Sequence, residues 1–471
     1  MILQNVVISD KKENRELYCE QKSDSYRENN YIVLPKGKKF SSCTYMNCFD
    51  IEAWRKYTEL DSFFFFMAYS GKGKLKLVCE QRDGTKQTIS QILQEGICEI
   101  TLPKKFQKGL VYFELYAEEE TKIYSAAFAT KEKVKKECKL AIVICTYKRK
   151  QFLENILEIL NQGLAINNAE EWLHITVVDN ASELENSYGN SVSVFHNPNT
   201  GGSGGFSRGM DEVINNLGIF SATHVVLMDD DVRIDFESII RLKSLLSYVK
   251  EHYVSDAVAG RMFRLDNPIV QYTALEIWNG GDLKHIGFNQ DMTLKENFWS
   301  MNDNTGGEYG GWWFECYPIE FVKDNRPLPF FIHCDDVEYG LRHGGTPIIL
   351  NGIQVWHETA EYRQSPVMAY YDVRNRLIVN EIYEVRQDKI QIAHWWMNTI
   401  SFYHVQQMLL HEWMAILAMR DYLCGVEWCF LLNVQKKHKS LVKYKTGNRV
   451  VNAFFWRYVK RKLLGRKELR K

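Results

Sequence analysis

"HVVLMDDDV", His224 to Val232, decides how the middle of this chain folds. The apolar run Val225 to Met228 reads as a strand buried on both faces, and it stops at three carboxylates, Asp229, Asp230 and Asp231. Burial on both faces is the mark of a parallel sheet covered by helices. The flanking sequence agrees. "LAIVICTY" (from Leu140) leads into the helical pattern "KRKQFLENILEILNQG"; "WLHITVVDNAS" leads through a Gly-rich loop into "SRGMDEVINNLG". Strands alternating with helices predict an open parallel α/β sheet with helices on both faces, and ligands bind such sheets beyond the carboxyl ends of the strands.

Asp229 and Asp231, at i and i+2, can point to one side of an extended segment. Two carboxylates so placed repel unless a cation sits between them, and a hard divalent ion with oxygen ligands fills that role while also holding a diphosphate. The bland alternative is an acidic loop opening the helix "DVRIDFESIIRLKSLL". Two other strand ends carry groups suited to a nucleotide: Thr146, Tyr147 and Arg149 after the first, Asp179 and Asn180 after the second. An Asp there can accept from a uracil or thymine N–H, although either alone also reads as a helix N-cap.

"NPNTGGSGGFSRGMDE" (Asn197 to Glu212) opens a helix with Asn199, Gly201, Gly202, Ser203 and Gly204. It lacks the ending of an NTP-binding P-loop and the placement of a dinucleotide fingerprint. Its glycines let backbone approach a ligand, and a helix N-terminus favours anions. Downstream, "LPFFIHCDDVEYGLR" offers Asp335, Asp336 and Glu338, "IQVWHE" places His357 at another strand end, and "EYGGWWFECYP" supplies Trp312 and Trp313. A carboxylate beside a diphosphate site is a natural general base for an acceptor hydroxyl. Singly, each also reads as an N-cap acid, a satisfied histidine or a core aromatic.

The chain has 471 residues, 45% hydrophobic and 25% charged, which fits a globular protein of two or three domains. No apolar run is long enough to span a bilayer, and "MILQNVVISDKKENREL" turns charged too early for an export signal. Eleven Cys without a CxxC pair fit reduced thiols in a cytoplasm. The zero net charge hides an asymmetry: Lys436 to Lys471 holds fourteen Lys/Arg and one Glu, about +13. "NAFFWRYVKRKLLGRK" interleaves those cations with aromatics, a pattern suited to an anionic membrane surface. Packing on the acidic body is the alternative. Nucleic acid is disfavoured because the basic stretch is confined to the tail.

Residues 1–132 read as a β-sandwich of short strands such as "SFFFFMAYS" and "GLVYFELYAE". After the charged linker "KEKVKKEC", residues 138–370 form the α/β unit, and 371–471 a Trp-rich helical region with the basic tail.

The order "CTYKR", "VVDN", "NTGGSGGFSRGM", "MDDDV", "GGWWF", "FIHCDDVEYGLR", "VWHE", "YYDVRNRL" resembles the polymerising galactofuranosyltransferases of glycosyltransferase family 2. "TYMNCFDIEAWRKYTELDSF" looks like that family's opening. The resemblance implies a GT-A core and an inverting transfer of galactofuranose from UDP-galactofuranose to a glycan acceptor in cell-surface polysaccharide synthesis. It implies Mn²⁺ or Mg²⁺ on Asp229, Asp231 and His357, and Asp336 as base. The acceptor site would take in Trp312, Trp313, Asp335 and Glu338. Thr146, Tyr147, Arg149, Asp179, Asn180, the Asn199–Gly204 loop, Asp229 and Asp230 would hold the nucleotide-sugar. A lipid-linked acceptor, a place on the inner membrane face and a homo-oligomer are further expectations. Cys334 stands where the mycobacterial members carry an aromatic residue, and the helical C-terminal region looks shorter than theirs. A dTDP-rhamnose transferase and a non-catalytic glycan-binding scaffold are the competing readings.

Overall fold

A computed structural model describes the chain except residues 10, 21–25, 29, 30, 95, 301–305, 360–364, 386, 387 and 466–471. At its centre the strand Leu140–Thr146 lies between two parallel neighbours, Leu173–Asp179 and His224–Asp229. The register sets Thr146 opposite Asp179 and Cys145 opposite Asp229, so the polar strand ends line one edge. Alternation along the strand explains the layers. Ile142 and Ile144 face a core with Leu153, Leu157 and Leu160 of the helix Lys150–Asn167 and Ile239 and Leu242 of Phe236–Ser247. Ala141 and Val143 face Phe206, Met210 and Val213 of the helix Gly201–Asn215. Each buried aliphatic contributes roughly 1.5–3 kcal/mol, so the α/β core is set by this two-sided pattern.

The sheet runs Val192–His196, Leu173–Asp179, Leu140–Thr146, His224–Asp229, Glu315–Pro318, Val258–Ala259. One expectation is corrected: the sheet is mixed, because Glu315–Pro318 runs antiparallel to both neighbours. That strand carries a fully buried carboxylate, Glu315, which accepts from Tyr317 Oη (2.6 Å) and Gly310 N (2.9 Å). A second sheet pairs Arg233–Ile234 with Gln354–His357, Arg233 opposite Trp356. This pairing returns His357 to the end of the Asp triplet.

The N-terminal part is a β-sandwich of two antiparallel sheets. Phe64–Ser70 and Thr121–Ala129 lie in one sheet, Gly73–Glu80 and Leu110–Ala117 in the other. Phe49, Phe65, Phe113 and Phe128 fill the space between, with ring centroids 4.7 Å apart for Phe49 and Phe128. The sandwich is fastened to the α/β core through Phe236–Ser247. Asn5 donates twice to Glu237, both at 2.8 Å, and fully buried Arg241 donates to Glu237 (2.8 Å), Met46 O (2.7 Å) and Asn351 O (3.0 Å).

Helices Pro366–Ile382, Lys389–Val405, Leu409–Tyr422, Val434–Val442 and Arg449–Gly465 build the C-terminal layer around Tyr370, Trp396 and Met414. Its polar centre is Asp421, which accepts from Tyr370 Oη (2.8 Å) and pairs with Arg420 (2.7 Å) and Lys437. Among the described residues, no helix is long and apolar enough to cross a membrane.

Candidate active site

The carboxyl ends of the core strands open into a cavity of about 940 Å³. Asp229 and His357 line it and cluster with Asp231, the ligand atoms of all three lying within 4.8 Å of one another. His357 Nε2 lies 2.9 Å from Asp231 Oδ1 and 3.5 Å from Asp229 Oδ2. Arg149 Nη1 donates to Asp231 Oδ2 (2.6 Å) and Asp230 Oδ1 (3.3 Å). Asp230 is buried, which pushes its carboxyl above the usual range, against the pull of Thr146 and Arg149. Two carboxylates and one imidazole form a donor set suited to Mn²⁺ or Mg²⁺. The guanidinium already drawn to the outer oxygen shows how strongly this spot calls for positive charge.

The turn into the helix Asp335–His343 forms another part of the lining. Phe331, His333 and Cys334 hold φ of 78°, 65° and 64°, a left-handed path that costs L residues energy and needs support. Support comes from both sides. Ser203 Oγ accepts from Phe331 N (2.9 Å), Arg374 donates to Phe330 O (2.7 Å), and Asn375 Nδ2 donates to Ile332 O (2.8 Å) and His333 O (2.9 Å). The turn delivers Asp335 and Asp336 into the cavity side by side. Burial, then the charge of Asp336, pushes Asp335 up to about 7; burial also raises Asp336, against the amide of Val337.

Thr146, Tyr147, Arg149, Asn180, Asn199, Gly201 and Gly202 also line the cavity. Other expected residues are placed elsewhere. Asp179 does not line it: its carboxylate accepts from the amides of Ala181 (2.9 Å), Glu183 (2.7 Å) and Leu184 (2.8 Å), anchoring its own loop. Although burial opposes the charge, those amides hold it below the usual carboxylate range. Glu338, two positions past Asp336 and so on the other side of the helix from it, is buried in a bidentate pair with Arg342 (2.5 and 3.0 Å). Ser203 serves the Phe331 turn. Gly204 packs on Thr200, where a Cβ would lie 2.3 Å from the hydroxyl. A Cβ on Gly201 would meet Phe331 O at 1.9 Å and one on Gly205 the Cys145 Sγ at 2.1 Å, so the glycines chiefly let the helix close onto its neighbours. Trp312 lines the cavity but sits edge-on to Phe206 and Tyr339 as a core aromatic. Trp313 also lines the cavity, and its indole N–H donates to Gly260 O (2.9 Å).

Sequence reasoning missed two pairs in this cavity. Glu276 and His285 face each other at 2.6 Å across a hairpin. The "WNGGD" turn was the available signal, since a turn of that kind fixes cross-strand register. His333 Nδ1 bonds Asp372 of the "YYDVRNRL" motif. The basic region also contributes: His438 lines the cavity and stacks on Phe331, with ring centroids 4.3 Å apart.

Residues 141–310 match the family model described as Glycosyl transferase family 2, and residues 3–131 that described as Galactofuranosyltransferase 2 N-terminal. The chain is 24% identical over 408 residues to galactofuranosyltransferase GlfT2 of Mycolicibacterium smegmatis, covering 78% of this chain and 62% of that one. It is 24% identical over 417 residues to GlfT2 of Mycobacterium tuberculosis, with the same coverage. The chain thus aligns with about 62% of the length of the curated relatives it matches. Mannosyl-3-phosphoglycerate synthase from Rubrobacter xylanophilus aligns over 53% of this chain and 77% of its own at 12% identity, and its TM-score of 0.32 is too low to argue from.

Proposed function

Because the chain carries a glycosyl transferase family 2 domain behind a galactofuranosyltransferase 2 N-terminal domain, we propose that it is a metal-dependent inverting glycosyltransferase. Its donor is UDP-galactofuranose and its acceptor a lipid-linked glycan of cell-surface polysaccharide synthesis. Its units are residues 1–132, 138–370 and 371–471. The observation that carries this reading is the meeting of two acidic groups at one cavity: Asp229 and His357, clustered with Asp231, line it together with Asp335 and Asp336. Mn²⁺ or Mg²⁺ held by the first group would supply charge neutralisation for a departing diphosphate. Arg149 is placed to pass from Asp231 to that same diphosphate. Asp336 takes the proton of the acceptor hydroxyl as its oxygen attacks the anomeric carbon. The bond to UDP breaks with its electrons going to UDP, and the centre inverts.

The C-terminal region fits a place on the inner membrane face. Phe454 and Tyr458 are 72% and 49% exposed, beside Val450 and Val451. Phe455 and Trp456 pack against the body instead, and residues 466–471 of the tail lie outside the described residues.

The test is UDP release and sugar transfer with UDP-galactofuranose, UDP-galactopyranose, UDP-glucose and dTDP-rhamnose, each with Mn²⁺ or with EDTA. We expect turnover of UDP-galactofuranose that EDTA abolishes. Asp231→Ala should lose both turnover and Mn²⁺-dependent thermal stabilisation by UDP. Preferred use of dTDP-rhamnose would replace the donor assignment. Full Mn²⁺-dependent turnover by Asp231→Ala would overturn the metal assignment. Glycan retention without turnover would mark a scaffold.

A further inference from the structure

The "YYDVRNRL" motif lies outside the α/β core, yet it holds the turn that delivers the acid pair. Three of its side chains reach one short stretch, Phe330 to His333. Arg374 and Asn375 bind the carbonyls of Phe330, Ile332 and His333, whereas Asp372 binds the ring of His333. Carbonyl clamps alone would fix the backbone. The side-chain bond does something different, since it places an imidazole beside Asp335 and Asp336, on the cavity wall.

Resting on the reading of Asp336 as base, we propose that His333 is a positioning residue: held by Asp372, it keeps a positive charge against the Asp335–Asp336 pair so that the base is ionised when an acceptor hydroxyl arrives. Two buried carboxylates side by side cannot both ionise cheaply without an opposing charge. Arg149 serves this need on the metal side. On the acid-pair side, His333 and Arg376 are the cationic side chains lining the cavity near the turn. The other charged or titratable groups around His333 and the pair are Asp372 on the same helix as Arg376, Tyr403 on Lys389–Val405, Glu276 and Tyr309 on the hairpin side, Cys334, Asp229 and His438. Most of these are acidic or neutral, which leaves the His333 imidazolium, with Arg376, to oppose the pair. Burial works against a charged ring here, but the bond to Asp372 and the nearby acids outweigh it and raise the His333 pKa.

The sign is fixed by electrostatics. A neighbouring cation lowers the pH at which a carboxylate ionises, and its removal raises that pH. The acid limb of the kcat/KM profile reports ionisation of the base in free enzyme. In His333→Gln the acid limb should therefore move up by about one pH unit, within the shift of 1–3 units that an adjacent opposite charge produces. His333→Lys keeps a cation in the same backbone conformation and should hold the limb near its wild-type position. Asn375→Ser loosens the turn without touching the charge, so it should lower kcat while leaving the limb in place. Each variant is checked for Mn²⁺-dependent stabilisation by UDP, which reads the intact donor side. An unmoved limb in His333→Gln, or equal displacement in the Gln and Lys variants, would overturn the proposal and leave His333 a structural residue. Asp336→Asn, run alongside, tests the base assignment separately: if it turns over normally, that assignment fails whatever the His333 variants show.

Discussion

Asp336 lies in the first turn of its helix with its carboxyl buried and raised above the ordinary range, and Asp335 beside it is pushed up to about 7. A base must be ionised to accept a proton, so turnover should rise with pH across the window in which the pair ionises, from the ordinary carboxylate range near 4 toward 7. Asp336→Asn keeps the shape and removes the acceptor of the proton. It should lower kcat by roughly 10²-fold or more, while UDP binding, measured by titration calorimetry, persists. Loss of UDP binding together with turnover would assign Asp336 to the donor site instead. The sequence made the acids visible through type and order alone, because a strand that ends in carboxylates has few uses. It hid His333 and Glu276, whose partners lie 39 and nine positions away and meet them only through the turn and the hairpin.

At the scale of the element, the helix Ile51–Tyr57 begins at Asp50, whose Oδ1 accepts from Ala53 N at 2.9 Å. Asp50 is buried, and burial pushes its carboxyl up to about 7 despite that amide. The folded state therefore binds this proton more tightly than the unfolded chain. The stability it contributes is fully present below about pH 4 and is lost as pH rises through about 7. Asp50→Asn preserves the cap and removes the titration. The melting temperature of the variant relative to wild type should climb between pH 4 and pH 8; a difference independent of pH would show that Asp50 is not ionising in this window. Elements themselves were readable wherever one periodicity held without interruption, as in Leu140–Thr146 and Lys150–Asn167. Glu315–Pro318 was not, since neither its direction nor its buried acid leaves a periodic trace. In the Gly-rich loop, steric closure on Phe331, Thr200 and Cys145 calls for Gly201, Gly204 and Gly205, a demand that glycine content alone does not separate from ligand approach, while Gly201 and Gly202 also line the cavity.

Across the whole molecule, Arg241 ties the β-sandwich to the α/β core, and it is 0% exposed. Arg241→Met leaves Glu237 a buried uncompensated charge and removes a donor from the carbonyls of Asn5, Met46 and Asn351. It should destabilise the protein by about 3–5 kcal/mol, read from urea denaturation. A loss under 1 kcal/mol would mean that the two parts hold together without this contact. The C-terminal region sets a second test. Deleting everything from Lys436 would remove the Lys437 partner of Asp421 and the His438 wall of the cavity, so a cleaner probe is Phe454→Ser with Tyr458→Ser. That double variant should sediment less with anionic vesicles than wild type at low salt, and the difference should shrink in high salt as surface charges are screened. Equal sedimentation would remove this helix from the membrane reading. Charge counting foresaw a basic tail but could not see that Lys437 is already spent on Asp421.

The clamp of Arg374 and Asn375 on the turn before Asp335 also orders events in time. A ribosome delivers Asp229, Asp231 and both acids before it delivers the residues that fasten the turn. Until those last residues dock, the turn before the acid pair lacks the hydrogen bonds of Arg374 and Asn375 to its carbonyls.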